Sequence, residues 1–355
     1  MMSPVSQIPP DRQGVPTGDL TDRPGIGQID ISVVIPAYYG ASTIADCLES
    51  VERATAGRRR EIIVVESSGD ETAGIVRRRF PGVVLICSET RLTAGGARNR
   101  GAAEARGRLV FFTDQDCTVP SDWIERLERH LDDPSIGAAG GAVGIRNLSN
   151  LSGCALYFLE FLYHFPGNGP PRRDRNFLIG CNSVYRAAAL QVVRFPDQTL
   201  GEDVLFSHQL RRHGFSVVYD PRIEVRHQNR EGWGEFFHYN REMGHAAASY
   251  HMVLRYWWVA SFLRIPILVF LAPVVILPSI ALRLIRSRVS YFFRFLLLSP
   301  MCLLGNLIWA SGFRRRGLET RGTSRDVLDD APQPEPEREG GHLAGTRPRD
   351  NTVSY

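Results

Sequence analysis

Residues 109–116, LVFFTDQD, place four consecutive apolar residues directly ahead of two carboxylates, Asp114 and Asp116, at alternate positions. A short apolar run of this kind reads as a strand buried on both faces, and its abrupt polar end reads as the point where the strand meets solvent or a ligand. The same grammar recurs upstream. Residues 31–36 (ISVVIP) form a β-branched run, and Ile44, Leu48 and Val51 follow at helical spacing. Residues 61–65 (EIIVV) give a second strand with a helical stretch to Phe80, then a strand at 83–87 and a helix from Ala94 to about Arg106. Strands alternating with helices predict an α/β fold with a parallel sheet covered on both faces, and such sheets bind ligands at the carboxyl ends of their strands.

Those carboxyl ends carry the unusual residues: Pro36-Ala37-Tyr38, Glu66-Ser67-Ser68-Gly69-Asp70 and Asp114-Gln115-Asp116. Further on, residues 177–193 and 199–220 supply a glycine turn, the pair Glu202-Asp203 ahead of an amphipathic helix, and another strand; a last strand at 223–226 ends at His227.

Composition narrows the setting. The 355 residues are 43% hydrophobic with a net charge of +4, enough for one sizeable core or two small ones. The excess Arg lies beside the most apolar segments of the last third, which favours a membrane surface over nucleic acid. Six scattered cysteines without a CxxC read as reduced core thiols rather than a zinc site. Residues 1–28 read as a disordered leader and 317–355 as a disordered tail, with a folded domain over 29–250 and membrane-associated helices over 251–316. No apolar run follows a basic start at the N-terminus, so the folded part is expected to face the cytoplasm.

Carboxylates at alternate positions just past a strand suit a hard divalent cation such as Mg²⁺ or Mn²⁺, with open positions left for phosphate oxygens. By itself an acidic turn with a solvated Asp pair is the better explanation of Asp114 and Asp116; the position after LVFFT reverses that preference in favour of the cation. Glu202 and Asp203 open a helix, where helix-dipole stabilisation and capping are the plain explanation. As a second acidic site far downstream, they also offer the base that a metal-dependent reaction needs apart from its metal ligands. His227 is either a third metal ligand or a satisfied structural histidine. Gly95-Gly96-Ala97-Arg98-Asn99 enters a helix, where backbone amides and the Arg98 guanidinium could meet phosphate.

Six segments in order, VVIPAY at 33–38, VVESS at 64–68, ARNRG at 97–101, FTDQD at 112–116, GCN at 180–182 and GED at 201–203, together resemble the family 2 glycosyltransferases over roughly residues 30–230. The resemblance implies the GT-A nucleotide-diphospho-sugar transferase fold, here with a C-terminal membrane-helix region. It implies that Pro36, Ala37 and Tyr38 contact the nucleoside, that Glu66 reads the base, and that Asp114 and Asp116 hold ribose and metal. It makes Asp203 the base of an inverting, metal-dependent hexosyl transfer, with Glu202 orienting the acceptor or capping the helix. Two positions depart from the family pattern: Tyr39 replaces the usual Asn, and Glu66 the usual Asp. A uridine donor is the default, with guanosine and thymidine donors open. The aromatic stretch 236–241 is similar to the family's segment after the final His and offers Arg241 to the diphosphate, although a surface arginine is the plainer reading of it. The acceptor is expected to be a lipid-linked sugar or a growing cell-envelope polysaccharide, contacted by loops within 143–176. Two other readings stand beside this one: a nucleotidyl- or phosphosugar-transferase on the same fold, against which residues 36–43 lack any Lys or Arg, and an inactive membrane scaffold, against which the four carboxylates stand.

Residues 265–282 and 295–313 are apolar stretches of about the 18–20 residues that cross a bilayer, and they contain Pro266, Pro273, Pro278, Pro300 and Gly305. Several prolines are costly in a water-soluble helix and tolerated in a membrane. Tyr256, Trp257, Trp258 and Trp309 fit interfacial anchors. A spanning hairpin and a hairpin lying in the interface both remain open, because the arginines at 283–288 and at 314–316 nearly balance. Residues 155–165 read as a core helix. Truncation after about residue 255 is expected to release the remainder from the membrane.

Overall fold

The computed structural model describes residues 29–173, 177–197, 200–254 and 266–323. The expected anchors Tyr256, Trp257 and Trp258 lie outside them. The described residues up to Leu318 form one compact unit; of the second, which begins at Glu319, only the end of the final helix is described.

The first half is built as the periodicity demands. Strands β1 (Ile31–Ala37), β2 (Arg60–Glu66), β3 (Val84–Cys87) and β4 (Leu109–Phe112) alternate with helices α1 (Ile44–Ala54), α2 (Thr72–Arg79) and α3 (Ala94–Glu104). All three pairings among these strands are parallel. Successive side chains face opposite sides, so Val33, Ile35, Ile62, Val64 and Phe111 enter one core while Val34, Ile63, Val65, Val110 and Phe112 enter the other. This explains why the strands read as continuous apolar runs.

The second half departs from an all-parallel sheet. It contains β5 (Cys117–Thr118), α4 (Trp123–Glu128), β6 (Ile136–Ile145), α5 (Leu151–Glu160), β7 (Arg172–Arg173), β8 (Ser183–Arg186), α6 (Ala187–Val192), α7 (Glu202–Arg212), β9 (Ser216–His227) and α8 (Trp233–Val253). The sheet order is β3-β2-β1-β4-β8-β6-β9-β5, with β7 paired to β9. Strand β8 runs antiparallel to both β4 and β6, and β9 is parallel to β6 but antiparallel to β5 and β7. The separate last strand expected at 223–226 is the end of the longer β9.

Strand β6, IGAAGGAVGI, is buried along its full length. Its Gly and Ala content is poor in β-formers, and its end had fallen in a segment expected to form acceptor loops. Small residues are needed there because a Cβ at Gly141 would stand 2.2 Å from the Ile223 carbonyl of the neighbouring strand. Helix α5 is a core helix, as expected: Cys154 through Phe158 are fully buried.

Two more helices follow, Ala272–Ser287, preceded by a 3₁₀ segment Pro266–Leu271, and Val289–Thr323. Taken with most of that 3₁₀ segment, Ile267–Ser287 is long and apolar enough to cross a membrane, and so is Val289–Glu319. They also share the principal core: Ile280, Leu284, Tyr291, Phe295, Leu298 and Cys302 pack in one cluster with α5. Of the six cysteines, Cys87 is exposed and the other five are buried, and all are free.

Candidate functional site

The carboxyl ends of β1, β2 and β4 carry the expected polar residues, each fixed locally. After β1, Tyr38 N donates to Gln115 Oε1 at 2.7 Å and Gln115 Nε2 donates to the Tyr38 carbonyl at 2.7 Å. The middle residue of the DQD segment therefore clamps the backbone of the Tyr38 loop. Pro36 is half-buried and Ala37 buried within the strand. The Arg91 guanidinium lies 4.7 Å over the Tyr38 ring. After β2, Glu66 is buried, and its Oε1 accepts from the Ser68 amide, the Ser68 hydroxyl and the Gly69 amide. That carboxylate is thus engaged in shaping its own loop.

Arg98, on α3, is 3% exposed and bridges two carboxylates: Nη2 donates to Asp114 Oδ1 at 2.8 Å and Nη1 to Glu202 Oε1 at 2.7 Å. Burial would lower its pKa, but Asp114 and Glu202 raise it, so the side chain is a permanent cation. The α3 N-terminus is already capped, with Thr93 Oγ1 accepting from Gly96 N at 3.0 Å. Arg98 accordingly ties α3, the end of β4 and α7 together.

Helix α7 starts at Gly201, whose φ of 81° favours glycine and where a Cβ would stand 2.4 Å from the Tyr250 ring. Glu202, in the first turn, accepts from Arg98 Nη1. The neighbouring Asp203 Oδ1 accepts from Val204 N at 2.8 Å. Burial, then the nearby Glu202 charge, push the Asp203 carboxyl up to about 7 despite the opposing Arg98.

Asp116 is placed apart from Asp114. Its Oδ2 lies 3.4 Å from His227 Nε2, and the other ring nitrogen of His227 is 3.0 Å from Asn229 Oδ1. Burial lowers the His227 pKa, but the Asp116 carboxylate outweighs it and holds the ring up to about 10, while the same pairing lowers Asp116 against its own burial. Asp116, Cys117 and His227 bring their ligand atoms within 4.8 Å of one another. The carboxylate and imidazole suit Mn²⁺ or Mg²⁺; a protonated thiol does not, and burial keeps Cys117 protonated. The donor set therefore fits a hard divalent ion at Asp116 with His227, the ring oriented by Asn229. Asp114 faces Arg98 instead.

A single cleft of about 1370 Å³ is lined by Arg98, Asp114, Asp116, Glu202, Asp203 and His227. Pro36, Ala37, Tyr38 and Glu66 do not line it; Gln115 connects the Tyr38 loop to its edge. Two lining residues, Glu160 and Arg230, were not legible in the sequence, and the role of Tyr239 within the stretch 236–241 was not either. Tyr239 Oη donates to Glu160 Oε1 at 2.7 Å, and Arg230 stands 4.4 Å over the Tyr239 ring. Burial raises the Glu160 carboxyl, with His227 and Arg230 opposing. The aromatic run containing Glu160 and the spacing of Arg230 after His227 are weak signals that only the fold assembles. Arg241 is exposed and does not line the cleft, in keeping with the plainer reading of it as a surface arginine; Arg230 does line it.

This is a mixed α/β sheet of the kind found in GT-A glycosyltransferases, with an acidic cleft at its strand ends. Residues 32–194 match the model of the family described as Glycosyl transferase family 2. Over 132 residues the chain is 36% identical to the succinoglycan biosynthesis protein ExoO of Rhizobium meliloti, covering 36% of each chain. It is 32% identical over 211 residues to an N-acetylglucosaminyltransferase of a Rhizobium species, covering 54% of this chain and 46% of that one. The chain thus spans roughly a third to half the length of these relatives. Among solved structures, a mannosyltransferase from Pyrobaculum calidifontis in complex with GDP-Man and Mn²⁺ superposes with a TM-score of 0.50 at 18% identity, covering 85% of this chain and 88% of that one. That likeness concerns the fold.

Proposed function

We propose that the chain is an inverting, metal-dependent glycosyltransferase that moves a hexosyl group from a nucleotide-diphosphate donor to a hydroxyl of a lipid-linked or glycan acceptor, at the cytoplasmic face of the cell membrane. The observation that carries this reading is the single cleft in which Asp116 with His227, Asp203, and the apolar residues Leu271 and Val275 of the C-terminal helices all take part. The relatives named for succinoglycan biosynthesis and N-acetylglucosaminyl transfer agree with a polysaccharide product class.

In this reading Pro36, Ala37 and Tyr38 receive the nucleoside, Glu66 shapes the base-reading loop, and Asp114, held by Arg98, meets the ribose. Asp116 and His227 would hold Mg²⁺ or Mn²⁺, which supplies charge neutralisation for the departing diphosphate. Asp203 takes the proton from the acceptor hydroxyl. The acceptor oxygen then bonds to the sugar's anomeric carbon on the face opposite the leaving group, and the carbon–oxygen bond to the diphosphate breaks with its electron pair going to the diphosphate. A carboxyl poised near 7 suits that base. Leu271 and Val275, exposed by 59% and 72%, extend the cleft wall as apolar surface, which supports an acceptor carried on lipid.

Binding of UDP-, GDP- and TDP-sugars to the full chain with Mn²⁺ tests this. One nucleotide should bind in preference and yield glycosylated lipid extract. Absence of binding to all three, or binding indifferent to the metal, would refute it.

A further inference from the structure

We infer that the C-terminal helix pair is an in-plane membrane anchor: it lies along one leaflet of an anionic bilayer and does not cross it. The inference is independent of the catalytic reading and starts from how the pair is fastened to the rest of the chain.

The turn between the helices is held against the catalytic sheet. Arg288, in that turn, pairs with Glu224 of β9, and Arg294, six residues on, donates to the Leu148 carbonyl. A spanning hairpin would put this turn across the membrane from the sheet. The packing excludes that along the whole length. Tyr291 and Phe295 meet Tyr157 and Phe158 of α5 at ring distances of 6.0 and 5.4 Å. Further along the same helix, a Cβ added at Gly312 would stand 2.0 Å from the Arg241 carbonyl of α8, and one at Gly244 would stand 1.9 Å from the Trp309 carbonyl. Phe313 and Ala310 pack with Ala247, Ala248 and Val269. From Tyr291 to Phe313 the helix follows α5 and then α8 for roughly 33 Å at 1.5 Å per residue. That equals or exceeds the roughly 30 Å hydrocarbon thickness. Were it to cross, α8 beside it would carry the exposed Glu235, His238 and Arg241 into hydrocarbon, where such groups are costly.

The opposite face is nevertheless apolar. Among the described residues, fourteen of the twenty-one exposed large hydrophobic side chains lie between Ile267 and Leu318, including Val274, Val275, Phe293, Leu296, Leu297 and Leu304. A contiguous apolar face of this extent needs a partner. Residues 267–318 contain seven arginines and no acidic residue, and Arg286, Arg314 and Arg315 are exposed. An apolar face flanked by exposed arginines complements the headgroup and upper acyl region of an anionic leaflet.

The test uses the full chain with Cys87→Ser, which removes the exposed thiol, in phosphatidylglycerol vesicles. Nitroxide labels at Phe293→Cys, Leu297→Cys and Leu304→Cys are read for depth. In-plane helices place all three at depths within about 5 Å of one another near the headgroup–acyl boundary. A spanning helix would separate the first from the last by roughly 16 Å in depth, the rise of eleven residues; that outcome overturns the inference. So does failure to bind vesicles with the labels buried in a homo-oligomer. As an independent arm, the chain with Ser290→Cys and Cys87 retained should react at both thiols with an impermeant maleimide from one and the same side. Reaction of Ser290→Cys only from the side opposite Cys87 would refute the in-plane arrangement.

Discussion

Arg98 donates from Nη1 to Glu202 Oε1 at 2.7 Å in a region where the arginine is 3% exposed, so the residue beside Asp203 is already committed to an ion pair. Removing one partner of a buried pair leaves an uncompensated charge, which costs about 3–5 kcal/mol. Arg98→Met should destabilise the fold by that order in chemical denaturation, because Asp114 and Glu202 lose their shared cation. Glu202→Gln keeps an acceptor for Nη1 and should cost less. Equal stability of Arg98→Met and the parent would show that the bridge is replaceable by packing.

Asp203 carries the pH dependence. Its carboxyl is pushed up to about 7, so transfer should rise as pH passes through 7 and the base ionises. Stability should move the other way. Between the unfolded carboxyl value near 3.9 and about 7, the folded chain keeps a proton that the unfolded chain has lost, so raising pH in that window weakens the fold; above it the penalty is constant. Asp203→Asn should therefore be more stable than the parent at pH 8, by on the order of 1–4 kcal/mol, with the difference vanishing near pH 4. Its transfer rate should fall by about 10²–10⁴ while donor binding persists. Parallel loss of donor binding would sink the assignment.

At the proposed metal position, proton and ion compete for His227, whose ring Asp116 holds up to about 10. Donor affinity measured with Mn²⁺ should therefore climb with pH between 7 and 9, and EDTA should abolish it. Asp116→Asn should weaken donor binding strongly. Asn229→Ala, which frees the other ring nitrogen, should lower metal affinity about 10–100-fold. Unchanged affinity in EDTA would remove the ion from the mechanism.

Gln115 makes two 2.7 Å bonds to the Tyr38 peptide, each worth about 0.5–1.5 kcal/mol. Gln115→Ala should raise KM for the donor by roughly tenfold and leave kcat within about twofold, since the loop binds nucleoside and not the reacting atoms. An unchanged KM would mean the loop is set by other contacts.

The sequence carried the parallel half of the sheet because β1, β2 and β4 are buried on both faces and read as unbroken apolar runs. It did not carry β6, whose Gly141 answers to the Ile223 carbonyl and not to a propensity. The acidic strand ends were visible, but their partners were not: Asp114 and Asp116 are two residues apart yet face Arg98 and His227, one sixteen residues before Asp114 and the other far downstream of Asp116. Spacing along a strand end cannot report which long-range neighbour each side chain meets. The apolar C-terminal segments likewise looked like a detachable membrane module, since hydropathy does not distinguish a face buried against protein from one facing lipid.

That distinction changes what truncation should do. A chain ending at residue 255 loses Tyr291, Phe295, Leu298 and Cys302, which cover Tyr157 and Phe158 in the principal core. At about 1.5–3 kcal/mol for each large apolar side chain, the loss of the three larger ones is comparable to the whole stability of a typical domain, about 5–15 kcal/mol. The truncated chain should therefore aggregate on expression instead of appearing as a soluble domain. Detachment from the membrane calls for changes on the outward face alone: Phe293→Glu with Leu297→Glu should release the full chain from phosphatidylglycerol vesicles in a flotation assay with Tm within a few degrees of the parent. Recovery of a folded, donor-binding 29–255 fragment without detergent would show that the helix pair adds nothing to the core.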